Sequence, residues 1–172
     1  LEGKTSKPEN LAAAPFRPVK LAHPLETSDR EKLDPSDFCA EWKWDGIRVQ
    51  AVSDRGVKRL YSRTGDDIGR AFPDMLEAMD FDGTLDGELL VRKPLEAGTP
   101  IAVASFSDLQ QRLNRKTESK KLLTSHPAFM RVYDVLWADG EDLRPLGFGE
   151  RRKKLESFAP KLPADRFDVS EC

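Results

Sequence analysis

Apolar and polar positions alternate from Phe38 to Lys43, with Phe38, Ala40 and Trp42 interleaved with Cys39, Glu41 and Lys43. The same two-residue period returns at Ile47, Val49 and Ala51, interleaved with Arg48 and Gln50, but on the opposite parity. Asp45-Gly46 stands between the runs. Such a pair is a hairpin signal, because glycine accepts positive φ at little cost. A second turn at Asp54-Arg55-Gly56 leads to a strand around Val57 to Ser62, so residues 38–62 are expected to form an antiparallel meander.

Further along, Phe72, Met75, Leu76 and Met79 recur at three- and four-residue spacing, which predicts a short amphipathic helix entered through Pro73. Leu85 to Val91 is expected to be a strand and Phe106 to Leu113 a helix. Phe129 to Trp137 is expected to be a strand ending in an Ala138-Asp139-Gly140 turn, followed by a basic helix from Gly149 to Phe158. Strands outnumber helices and mostly follow one another without crossover helices, so the expected class is α+β with mainly antiparallel sheet and flanking helices. Residues 1–15 are small and polar without amphipathic period and suit a linker. Residues 16–172 are expected to form one packed unit.

Composition narrows the class. Charged residues make up 34% and hydrophobic ones 38%, the mean hydropathy is −0.58, and no apolar run approaches the roughly 20 residues that cross a bilayer. The chain starts without Met or a secretory signal, so it is expected to be an internal fragment or a processed piece, with a cytoplasmic origin as the default; it is further expected to be monomeric and free of membrane. Its two cysteines, Cys39 and Cys172, are too few and too far apart in sequence for a disulfide framework or zinc site, and no role is expected of them. A net charge of −2 gives no general attraction to nucleic acid. Locally, Arg112, Arg115, Lys116, Lys120 and Lys121 face only Glu118, a cluster that suits either a phosphate-facing patch or a solvated helix face.

Candidate chemistry starts at Glu41-Trp42-Lys43-Trp44-Asp45-Gly46-Ile47-Arg48, which contains KxDGxR. Four fixed residues at about 5% each fall together by chance in a chain of this length roughly once in a thousand. A surface hairpin with two exposed cations is the plain alternative. An amine near pKa 10.4 is neutral in only about one molecule in a thousand near neutral pH. A nucleophilic lysine therefore needs nearby cations, a metal or desolvation, and a positive field also stabilises a phosphate under attack.

KxDGxR resembles the signature of the covalent nucleotidyltransferases, which include DNA ligases, RNA ligases and mRNA capping enzymes. The resemblance implies that Lys43 attacks the α-phosphate of a nucleotide, and that Arg48 contacts the ribose or the nick terminus. Ser62-Arg63-Thr64-Gly65, Leu85-Asp86-Gly87-Glu88-Leu89 and Tyr133-Asp134-Val135-Leu136 resemble further motifs in the family's order. They imply Arg63 beside the phosphates and nick, Glu88 at the ribose and metal, and Tyr133 stacked on the base. Phe16-Arg17-Pro18-Val19-Lys20-Leu21-Ala22 and Phe106 to Lys116 are similar to stretches of bacterial ATP-dependent DNA ligases. The match, roughly Phe16 to Phe158, implies the nucleotidyltransferase fold of DNA ligases, similar to ATP-grasp. ATP and Mg2+ are the implied cofactors, and nicked double-stranded DNA, met in repair, replication or recombination, is the implied partner, with Arg48, Arg63, Arg112, Arg115 and Lys116 facing it.

Guanine offers a carbonyl acceptor where adenine offers an amine donor, so Glu41, an acceptor, suits adenine and argues against a capping enzyme. An RNA ligase and a non-catalytic DNA-binding module remain as alternatives. The family's second glutamate-glycine motif, its lysine motif and its oligonucleotide-binding-fold domain are not found before Cys172. The resemblance therefore implies an incomplete adenylation domain that is inactive or nearly so by itself.

Overall fold

The computed structural model describes residues 13–93, 103–113 and 120–172. Its centre is a six-stranded sheet. Strands β1 (Ile47–Asp54), β2 (Val57–Ser62), β3 (Gly83–Val91), β4 (Ala128–Ala138) and β5 (Glu141–Asp142) lie in the order β2-β1-β3-β4-β5, all neighbours antiparallel, while β6 (Phe167–Val169) joins β4 in parallel. The helices are α1 (Pro73–Ala78), α2 (Phe106–Leu113), α3 (Lys120–Ser125) and α4 (Phe148–Phe158). The α+β class with a mainly antiparallel sheet holds, although β6 and α3 carry no signal that the sequence reading used. Among the described residues, no helix is long and apolar enough to cross a membrane.

Two tight turns set the register. Arg55 (φ 51°) and Gly56 (φ 78°) link β1 to β2, and Asp139 (φ 51°) and Gly140 (φ 81°) link β4 to β5. Paired positive φ values turn the chain with the same twist as the strands they join. One sheet face then collects Val49 and Ala51 of β1, Leu85 and Leu89 of β3, and Met130, Val132 and Val135 of β4, all buried. Phe72 and Met75 at α1, Leu109 of α2 and Leu155 and Phe158 of α4 close that core. Removing such side chains from water is worth about 1.5–3 kcal/mol each.

Cross-strand pairing puts Arg48, Glu88 and Arg131 in one row of the opposite face, and Gln50, Asp86 and Asp134 in the next. Register shifts between Thr84 and Leu85 and between Asp86 and Gly87 leave Tyr133 and Leu136 as extra residues in β4. An extra residue of this kind bends a strand and re-aims its side chains.

Two expectations fail here. Residues 38–46 are not a strand, and Asp45-Gly46 makes no hairpin; β1 begins at Ile47 and pairs with β2 and β3. Gly46 is needed for closeness instead, since a Cβ there would collide with the Leu89 carbonyl oxygen and lie 2.7 Å from Leu90 Cδ2. Cys39 and Cys172, expected to have no role, are joined as a disulfide with their Cα atoms 5.4 Å apart, because the fold brings the C-terminal segment back beside residues 38–44.

At the other end, packing begins before Phe16. Ala14 is fully buried, its N–H donating to Asp54 Oδ2 (3.3 Å) and its carbonyl accepting from the Tyr61 hydroxyl (2.8 Å). The following segment crosses the polar face of the sheet. The Gln50 amide clasps the Arg17 backbone from both sides at 2.7 Å, and Arg17 bonds Thr84 Oγ1 at 2.6 Å.

Candidate functional site

A cleft of about 890 Å³ opens over that polar face. Lys43 and Glu41 reach it from the irregular segment before β1, Arg48 from β1, Arg63 from the turn after β2, Glu88 from β3 and Tyr133 from the bulged position of β4. The six residues singled out by motif thus line one cavity, although they come from stretches up to 92 residues apart.

Arg48 is the best-held of them. Its guanidinium donates to both carboxylate oxygens of Asp86, at 3.1 and 2.6 Å, and to the carbonyl of Lys20 at 2.8 Å. It also lies 5.6 Å from the centre of the Tyr133 ring, within cation–π reach. Burial works against the charge of Arg48, but bonding and attraction to Asp86 hold its pKa above the ordinary value. Asp86 itself is fully buried, and that burial raises its pKa despite Arg48.

Glu88 accepts from the Gly46 N–H at 3.2 Å, which ties the segment following Lys43 to β3. Its pKa is raised by burial, with Gly46, Lys43 and Arg48 pulling the other way. Burial likewise raises Glu41, opposed by a hydrogen bond from Ser170 and by Arg152, whose guanidinium is 3.4 Å away. Burial, and next Asp86, push the Tyr133 hydroxyl far up, so its ring is neutral. Arg63 is exposed at the tip of a turn fixed by Thr64 Oγ1 donating to Asp66 Oδ2 (2.5 Å) and by Gly65 at φ 90°.

The proposed DNA-facing cluster fares differently. Arg112 is fully buried, its guanidinium donating to Asp74 (2.6 and 3.3 Å) and to the carbonyls of Ala71 and His126. It holds α2 against α1 and is not placed to meet a phosphate. Arg115 and Lys116 lie outside the described residues.

Other cleft residues were not singled out by sequence. Asp134 is held by Arg151 of α4 through contacts of 2.8, 3.1 and 2.8 Å. Trp44 and Phe148 add apolar wall, and Trp42 at the rim is 77% exposed. The signal for Arg151 was available: it sits four and seven residues before Leu155 and Phe158, on the inward face of a helix read only as basic.

Cations, a neutral aromatic ring and acceptor carboxylates around an open cleft can accept a flat polar base carrying a charged phosphate tail. Residues 20–171 match the family described as the ATP dependent DNA ligase domain, and the chain belongs to that family. It is 33% identical over 168 residues to a DNA ligase of Methanoculleus marisnigri, covering 92% of this chain and 30% of that protein. A probable DNA ligase of Koribacter versatilis is 34% identical over 156 residues, covering 86% of this chain and 26% of that protein. The chain therefore spans about a third or less of these relatives' length. Among solved structures, the ligase domain of Mycobacterium tuberculosis LigD is similar at 31% identity and a TM-score of 0.56, over 76% of this chain and 38% of that one. A mycobacterial DNA ligase D complexed with ATP and MES is similar at 31% identity and a TM-score of 0.55, over 75% and 38%.

Proposed function

We propose that this chain supplies the nucleophile wall of a DNA ligase adenylation site. Lys43 Nζ, once deprotonated, attacks the α-phosphate of ATP; the new N–P bond forms as the bond to pyrophosphate breaks, and pyrophosphate departs. The AMP passes to the 5′-phosphate of nicked double-stranded DNA, which the 3′-hydroxyl then attacks to seal the strand and release AMP. The observation that carries this reading is the convergence of all six motif residues on one cleft in a chain of the ligase family.

Each residue has a part that its surroundings support. Tyr133 offers a neutral ring for the base, and Glu41 an acceptor for the adenine amine. Arg48, aimed by Asp86, and Arg63 supply positive potential at the phosphates and then at the nick. Glu88 holds the segment after Lys43 through the Gly46 N–H and offers its carboxylate to the ribose. The described residues contain no cluster of three or more His, Cys, Asp or Glu side chains able to cage a metal. Mg2+ keeps waters and is commonly held by one or two carboxylates plus substrate phosphates; Glu88 would be the carboxylate donor here, since Asp86 is taken by Arg48. The ion, when bound, neutralises phosphate charge.

The test is intact-mass and peptide spectrometry of the full-length protein after exposure to ATP and Mg2+. The expected result is one AMP on Lys43, lost in Lys43→Ala and kept in Lys58→Ala, whose lysine is engaged elsewhere with the Glu77 carbonyl at 3.3 Å. An adduct that survives Lys43→Ala, or none in the unmodified protein, overturns the proposal.

A further inference from the structure

The segment that carries Lys43 has no strand partner, yet a nucleophile must be held closely to attack in line. Two neighbouring side chains of the sheet grip it just after Lys43. Glu88 takes the Gly46 N–H, as described, while its cross-strand partner Arg131 takes Trp44. The Arg131 guanidinium carbon lies 4.0 Å from the centre of the Trp44 ring, the shortest such contact found among the described residues. Arg131 does not line the cleft. It is fixed from behind by Asp168, its register partner on β6, with both carboxylate oxygens accepting at 2.9 and 2.6 Å.

From this arrangement we infer that Trp44, Arg131 and Asp168 form a clamp that positions Lys43, a role that rests on the proposed adenylation at that lysine. The Asp168 carboxylate orients the guanidinium, whose planar fork suits a paired carboxylate and whose face suits an indole. The indole is one residue from Lys43. A backbone pinned at Trp44 and Gly46 leaves the lysine little freedom beyond its own side chain. Arg131 and Asp168 are positioning residues: they act on Lys43 through Trp44 and touch no substrate.

The consequence is kinetic. Loosening the clamp misplaces the nucleophile by a fraction of its reach, and small misplacements cost up to about a hundredfold in rate. ATP binding, which rests on Tyr133, Arg48 and Glu41, is left nearly intact.

The test measures lysyl-AMP formation in the full-length protein against ATP concentration. Arg131→Met and Trp44→Ala are expected to slow the saturated rate by about ten- to a hundredfold, and Arg131→Met, whose side chain lies outside the cleft, to change KM by less than about threefold. Asp168→Asn should slow it less, and Trp44→Phe, which keeps a ring for the cation, should recover most of the rate. The double variant of Arg131→Met with Trp44→Ala should be no slower than the worse single one, since both break one contact. Thermal unfolding of each variant checks that it folds; if Arg131→Met does not, the contrast between Trp44→Ala and Trp44→Phe decides. A raised KM with an unchanged saturated rate would overturn the clamp, because Trp44 would then serve nucleotide binding. So would unchanged kinetics in the folded variants. Absence of any Lys43 adduct in the unmodified protein would instead overturn the adenylation reading itself.

Discussion

Tyr133 occupies the additional position that the bulge adds to β4, and this placement decides what its ring is free to do. In regular alternation between Val132 and Asp134, a residue here would face the core or the polar row; the bulge turns it into the cleft, half-buried, beside Arg48. Base stacking needs the ring face and not the hydroxyl, and is worth about 1–3 kcal/mol per base. Tyr133→Phe is therefore expected to keep ATP use within about twofold, whereas Tyr133→Ala should weaken it roughly five- to a hundredfold. Half-maximal ATP concentrations for adduct formation measure both. Equal loss in both variants would assign the contribution to the hydroxyl and exclude stacking.

At the scale of elements, Arg112 shows how a local reading of charge misleads. A run of cations on a polar stretch looks solvated or phosphate-facing, but Arg112 lies on the same helix face as Leu109 and is drawn inside by Asp74, thirty-eight residues earlier. Removing one partner of a buried pair leaves the other charge unmatched, at about 3–5 kcal/mol. Arg166 also reaches Asp74, at 3.0 Å, so the lower end is expected for Arg112→Ala. Denaturant unfolding should show that loss, while the salt dependence of DNA binding, which counts phosphate contacts, stays unchanged at temperatures where the variant is folded. A flatter salt dependence would return Arg112 to the interface.

Elements with strong periodicity were legible for the same reason that Arg112 was not: α1, α2, β3 and β4 are fixed by their own apolar period, and the two-residue turns by residues that accept positive φ. Gly46 was misread because sequence shows that a residue lacks a Cβ but not whether φ or closeness requires it. The short β6 depends on β4 for its existence, and three residues carry no period. In the candidate site, KxDGxR and the later motifs located the residues, whereas the pairs that aim them, Arg48 with Asp86 and Arg151 with Asp134, join distant stretches. Such pairings arise only from strand register and helix docking.

For the molecule as a whole, the sheet divides two kinds of stabilisation. One face is closed by apolar side chains from α1, α2 and α4; the other holds partly or fully buried carboxylates around the cleft. The difference appears in the titrations. At the periphery Asp142, bonded to Arg144, is lowered to about 2, but Glu41, Asp86 and Glu88 in the cleft are all raised, with burial as the leading cause. A carboxyl raised by folding opposes the fold when ionised. Below the unfolded pKa both states hold the proton and nothing is lost; as pH rises through the unfolded and then the folded value, the unfolded chain ionises first and the fold loses stability. Ligand sites commonly retain such unfavourable charge, since it serves binding. Glu88→Gln keeps an oxygen for the Gly46 N–H while removing the charge. It is therefore expected to raise the thermal midpoint of the ligand-free protein at about pH 7, and the gain should vanish near pH 3.5, where Glu88 is protonated in both states. Calorimetry at the two pH values checks this. A lower midpoint at neutral pH would mean that attraction to Lys43 and Arg48 outweighs the burial of Glu88, and that the cleft stabilises its own charges without a ligand.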